Sequence, residues 1–186
     1  NIRMMNNLRL TRFWLGLAGL LLVTFPLTST ATIIRLQTAL GVIDIKLHDE
    51  TTPRTVANFF EYLKNNAYDR SFFHRSIPGF IIQGGGYVWN QTTNSVNTIA
   101  KLQPVNNEFS VTRSNVRGTI AMAKLPDKPN SATSEWFINL ADTSADLNKQ
   151  NEGFTVFGQV LGNGMQVADA IAVLPRTNAG SVFSTL

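Results

Sequence analysis

One stretch constrains this chain more than any other: Ser71-Phe72-Phe73-His74-Arg75-Ser76-Ile77-Pro78-Gly79-Phe80-Ile81-Ile82-Gln83-Gly84-Gly85. Two short apolar runs, Phe72-Phe73 and Phe80-Ile81-Ile82, flank Pro78-Gly79. Proline presets φ and glycine is free to take φ > 0, so the pattern reads as a strand pair or a bent strand around a tight turn. Arg75 and Gln83 are polar groups set among aromatic and branched side chains. A lone arginine usually snorkels to the surface. With so many apolar neighbours, a fixed guanidinium beside an apolar dish is a device for holding a greasy ligand rich in carbonyl groups.

The rest of the chain reads as many short strands and two helices. Residues 32–37 and Gly41–Leu47 are strand-like, the second alternating apolar Ile43, Ile45 and Leu47 with polar Asp44 and Lys46. Thr52-Pro53 is an N-cap followed by proline at the first helical position. Val56, Phe59, Phe60, Leu63 and Ala67 follow at the spacing of an amphipathic helix, and Asn65-Asn66 suits its stop. The Asn/Thr/Gln-rich segment from Tyr87 to Pro104 is expected as a surface loop. Strands are expected at 119–123, Trp136–Asn139 and 155–160, with loops at 125–133 and 141–153. A second helix is expected over 165–174, with Val167, Ala170, Ile171 and Leu174 on one face. Short strands with two separated helices argue for a mainly β chain forming a closed antiparallel barrel.

Composition sets limits. One domain is expected for 186 residues, and 44% hydrophobic with 15% charged residues is ordinary for a globular protein. The sequence pI of about 9.7 hints at nucleic acid, but Arg3, Arg9 and Arg12 lie before residue 31, ahead of the first acidic residue, Asp44. From Thr32 onward 13 basic residues face 12 acidic ones. No nucleic-acid footprint survives. Cysteine is absent, which excludes disulfides and thiol chemistry. His48 and His74 lack metal-ligand spacing, and Gly84-Gly85-Gly86 has no helix after it, so neither a metal nor a phosphate loop is expected.

The first 31 residues carry arginines, a 13-residue apolar run from Phe13 to Phe25, Pro26 and a small-x-small end at Ser29 and Ala31. That is the build of a secretory signal peptide, with an apolar run short of the roughly 20 residues of a spanning helix. Residues 1–31 are therefore expected as a signal peptide and 32–186 as the working domain, located in the periplasm. Membrane contact is expected only through an uncleaved leader.

As Phe-His-Arg-x-Ile-Pro-Gly-Phe-x-x-Gln-Gly-Gly, the opening stretch resembles the signature of the cyclophilin family of peptidyl-prolyl cis/trans isomerases. Gly118-Thr119-Ile120-Ala121-Met122-Ala123, Asn130 to Ile138 and Phe154-Thr155-Val156-Phe157-Gly158-Gln159-Val160 agree with that family in order and spacing. The resemblance implies an eight-stranded β-barrel with a helix over each open end. It implies an enzyme that turns X–Pro bonds of exported polypeptides without cofactor or metal, as a monomer. Arg75 takes the catalytic role, and Phe80, Ile81, Phe137 and Leu147 line the proline pocket. Gln83 and the backbone around Ala123 and Lys124 hold the peptide. Glu135 and Phe154 complete the substrate-binding set.

Three positions depart from the family pattern. Glu135 stands where most members carry glutamine, Asp146 where animal members carry tryptophan, and Phe154 where histidine is usual. Asn107-Glu108-Phe109 resembles a family segment of architectural role. Relatives continue into one more apolar strand, which Phe183-Ser184-Thr185-Leu186 does not supply, so the N-terminal strand is expected to keep a bare edge. Two other classes fit the same residues less well. A proline-peptide binding module without catalysis has no need of Arg75, and a tethered structural subunit needs the leader to remain uncleaved.

Overall fold

The computed structural model describes residues 31–175. Residues 1–30 of the expected leader and the segment Phe183–Leu186 lie outside them. Strands β1 (Ile33–Thr38) and β2 (Gly41–Leu47) form a hairpin, followed by helix α1 (Pro53–Lys64). Then come β3 (Arg75–Ile77), β4 (Ile81–Gly84), β5 (Tyr87–Asn90), β6 (Ser95–Thr98), β7 (Thr119–Met122) and β8 (Trp136–Asn139). Short helix α2 (Ser144–Leu147), strand β9 (Val156–Val160) and helix α3 (Gly164–Ala172) complete the order.

Seven strands form one antiparallel sheet in the order β1-β2-β9-β7-β8-β4-β3. The sheet is a curled half-barrel rather than the closed eight-stranded barrel expected from the sequence. Among the described residues no ladder joins the edge strands β1 and β3. A cavity of about 1170 Å³ lies along that seam, lined by Arg35, Leu36, Phe73, Ile77, Trp136 and Ile171 among others. Alternating side chains specify which face of a strand is buried; closure also needs one more ladder and a matching shear. On β1, Ile33 is 60% exposed.

The main core fills the concave side. Ile43, Ile45 and Leu47 of β2 meet Ile82, Ile120, Met122, Trp136, Ile138 and Phe157, with Val56 and Phe59 of α1 and Ala168, Ile171 and Ala172 of α3. Each large side chain so buried contributes about 1.5–3 kcal/mol. The face of α3 differs from expectation, since Ala170 is exposed and Leu174 falls past the helix end.

Local chemistry explains the elements. Pro53 opens α1, but Thr52 makes no side-chain cap. Glu108 caps instead, its carboxylate accepting from the backbone N–H groups of Arg54 at 3.2 Å and Thr55 at 2.8 Å. An acid there also suits the positive end of the helix dipole. The turn between β3 and β4 contains Pro78 and Gly79, with Gly79 at φ 73°. The paired strand on its N-terminal side is Arg75–Ile77, not Phe72-Phe73. The expected loop after Tyr87 is instead the β5–β6 hairpin. Polar Gln91, Thr92, Thr93 and Asn94 occupy the turn, where Asn94 takes φ 50°, a conformation asparagine tolerates.

Candidate active site

A single cross-strand row organises the outer side of the sheet. Arg75 of β3 lies opposite Gln83 of β4, Gln83 opposite Phe137 of β8, Phe137 opposite Ala121 of β7, and Ala121 opposite Val156 of β9. Period-two alternation sends these residues to the face away from the main core. Ile81, Ala121, Phe137, Leu147 and Val156 form a second buried apolar cluster there, with Phe80, Ala123 and Phe154 packed against it. Phe137 is 3% exposed, and its ring meets Phe154 edge-on, with centroids 5.7 Å apart.

Polar groups occupy the other end of the row. Arg75 Nη1 donates to Gln83 Oε1 at 3.4 Å, and Gln83 Nε2 donates to Glu135 Oε2 at 2.9 Å. His74 Nε2 lies 3.4 Å from the same carboxylate oxygen, with the imidazole side chain fully buried against the edge of Tyr87. Arginine is donor-only and an ionised carboxylate acceptor-only. Between them the Gln83 amide can face one way only, carbonyl toward Arg75 and amino group toward Glu135. Arg75 is half-buried, makes no ion pair among the described residues, and burial lowers its pKa. The His74 contact, then the Gln83 bond and the charge of Lys101, outweigh burial and hold Glu135 below its ordinary pKa.

Residues 33–184 match the family described as cyclophilin type peptidyl-prolyl cis-trans isomerase/CLD. The chain is 40% identical over 172 residues to the peptidyl-prolyl cis-trans isomerase of Acinetobacter baylyi, covering 92% of this chain and 87% of that one. It is 40% identical over 153 residues to peptidyl-prolyl cis-trans isomerase A of Dickeya dadantii, covering 82% and 77%. This chain belongs to the cyclophilin-type peptidyl-prolyl cis-trans isomerases. It is an enzyme of that type. A cyclophilin from Cryptosporidium parvum, solved in the presence of the dipeptide Ala-Pro, superposes with a TM-score of 0.64 at 22% identity, over 80% of this chain and 89% of that one. That likeness is one of fold.

Nine of the ten site residues expected from the sequence fall in the apolar cluster or at the polar end of the row in this cyclophilin. Phe80, Ile81, Ala123, Phe137, Leu147 and Phe154 share the apolar cluster, while Arg75, Gln83 and Glu135 form the polar end. Lys124 stands apart beside Phe154, its Nζ 4.9 Å from the ring centre. It donates to the backbone carbonyls of Asn151 at 2.6 Å and Gly153 at 2.7 Å. Burial, opposed by the charge of Glu152, lowers its pKa to about 8. The Lys124 side chain thus holds the wall of the dish, a role distinct from the expected backbone contact with peptide. Gly153 follows at φ 74° with a Cβ position only 2.5 Å from the Phe109 ring, so glycine alone fits.

Sequence reasoning did not name three residues that build the candidate site. Ala121 and Val156 complete the apolar floor, and the strand alternation could have found both. Asn115 is fully buried and leaves no pattern to read. Its Nδ2 donates to Asn148 Oδ1 and to the Phe154 carbonyl, each at 3.0 Å, while its carbonyl accepts from Thr143 N–H at 3.0 Å. Asn115 thereby ties the end of α2, next to Leu147, and the loop carrying Phe154 to β8, whose Asn139 Nδ2 donates to Asn115 Oδ1 at 3.3 Å.

Proposed function

We propose that Arg75 and the apolar dish beside it together perform the isomerisation of X–Pro bonds in exported polypeptides. The observation that carries this reading is the row in which a half-buried cation stands two strands from the Phe137 ring. Rotation about the bond is opposed by amide resonance, a barrier of about 18–20 kcal/mol. Nothing is cleaved, so the enzyme must bind the twisted amide more tightly than either planar form. Twisting leaves a lone pair on the proline nitrogen. A guanidinium directed at the amide stabilises that charge distribution, and an apolar dish grips the ring while excluding water. Phe80, Ile81, Phe137, Leu147 and Phe154 form the dish. Gln83 orients Arg75, and the backbone at Ala123 and Lys124 and the Glu135 side chain flank the peptide.

The arginine-flanked apolar run before Pro26 supports export, with 1–31 as leader and 32–186 as a monomeric domain assisting folding in the periplasm. Among the described residues no helix is long and apolar enough to cross a membrane. Turnover of an Ala-Pro peptide, followed by exchange NMR, tests the activity. An intact fold without exchange above the uncatalysed rate would leave only a peptide-binding module. Fractionation of expressing cells, with the mass of the mature chain, tests export and leader removal.

A further inference from the structure

The carboxylate at position 135 has a place that the isomerisation itself does not explain. Its backbone carbonyl accepts from Ala123 N–H at 2.9 Å, at the rim of the apolar cluster. Its side chain reaches the other way, with Oε2 bonded to Gln83 Nε2. The residue therefore sits at the boundary between the dish and the polar end of the row. Its side chain is 25% exposed, so one part is anchored and another meets solvent. Facing it are His74 from the segment before β3, the Gln83 amide from β4 and, at longer range, Lys101. No acid pairs with it or lies close enough to repel it among these neighbours. Lys124, the cation beside the Phe154 ring, is held by the carbonyls of Asn151 and Gly153.

We propose that Glu135 sets a charge preference in this site, favouring proline peptides with lysine or arginine near the proline and disfavouring those with aspartate or glutamate. A rigidly held carboxylate needs no reordering to meet an incoming cation, and like charges brought together at a partly desolvated edge repel. A glutamine at 135 would offer the same length and an amide without charge. The inference rests on the proposed isomerase site but concerns substrate choice alone.

The test measures kcat/KM by exchange NMR, which avoids a coupling protease with its own charge preference. Peptides carry lysine, glutamine or glutamate in turn at the two positions on each side of Ala-Pro. The readout is the lysine-to-glutamate ratio within each protein. We expect a wild-type ratio of at least about threefold at one or more positions, in the range of partly exposed ion pairs. The ratio shrinks in 0.5 M salt, falls toward one in Glu135→Gln and persists in Glu135→Asp. A wild-type ratio near one everywhere overturns the proposal, as does a ratio that Glu135→Gln leaves unchanged. If Glu135→Gln fails to fold, the wild-type ratio and its salt dependence decide. Absence of turnover of the neutral glutamine peptides by wild type would instead count against the isomerase reading.

Discussion

Arg75 and Gln83 face each other on adjacent strands, and the guanidinium reaches the Gln83 carbonyl oxygen at 3.4 Å. That long contact orients the arginine without neutralising it. The remaining N–H groups of a side chain with five donors are left for other acceptors.

Replacing Arg75 with alanine therefore removes the cation while leaving the ladder intact. We expect kcat/KM to fall by roughly 10²–10³, the scale for losing one donor to a transition state, with an unchanged circular dichroism spectrum. Retention of more than half the activity by a folded variant would rule out the proposed role.

Phe137→Ala acts on both stability and binding. The ring is nearly sealed between Ala121, Gln83 and Phe154, so its loss leaves a cavity costing about 3 kcal/mol. KM should rise as the dish loosens. Peptide titration and urea unfolding measure the two effects separately, and unchanged affinity would remove Phe137 from the site.

Glu135 predicts a pH effect. Its folded-state pKa lies below the usual carboxylate value, so on acidification the unfolded chain takes up the proton first. Stability from this group is present in full above about pH 5 and is lost as pH falls through the usual and then the depressed value. The urea midpoint should drop more between pH 6 and pH 4 in wild type than in Glu135→Gln. Parallel declines would contradict the assignment.

Asp146 is exposed on α2, directly before buried Leu147. The cyclic peptide cyclosporin, which the family is known for binding, meets at the tryptophan of animal members an indole N–H and a flat face. An ionised aspartate offers neither. Losing that donor costs about 1–3 kcal/mol, a factor of roughly 5–150 in affinity. We expect weak inhibition of wild type and at least several-fold tighter binding in Asp146→Trp. Nanomolar inhibition of wild type would overturn this.

Local sequence pattern accounts for the turn at Pro78-Gly79, the start of α1 at Pro53 and the buried face of β2. These are local matters: a preset φ, an absent amide hydrogen and a side-chain period of two. The ten candidate site residues were named through the family resemblance, which strand pattern alone does not supply. Asn65-Asn66 marked the end of α1.

Which strands are neighbours is settled at the tertiary level, because the sheet order joins β4 to β8 and β9 to β2 across long stretches of chain. That order lines Arg75, Gln83, Phe137, Ala121 and Val156 into one row. It also lets Glu108 cap a helix that begins 55 residues before it, and lets Asn115 bind two loops at once. The open seam between β1 and β3 belongs to the same class of fact. Alternation chooses a face for each residue, but pairing partners, register and closure depend on how distant segments meet, and no local pattern encodes that.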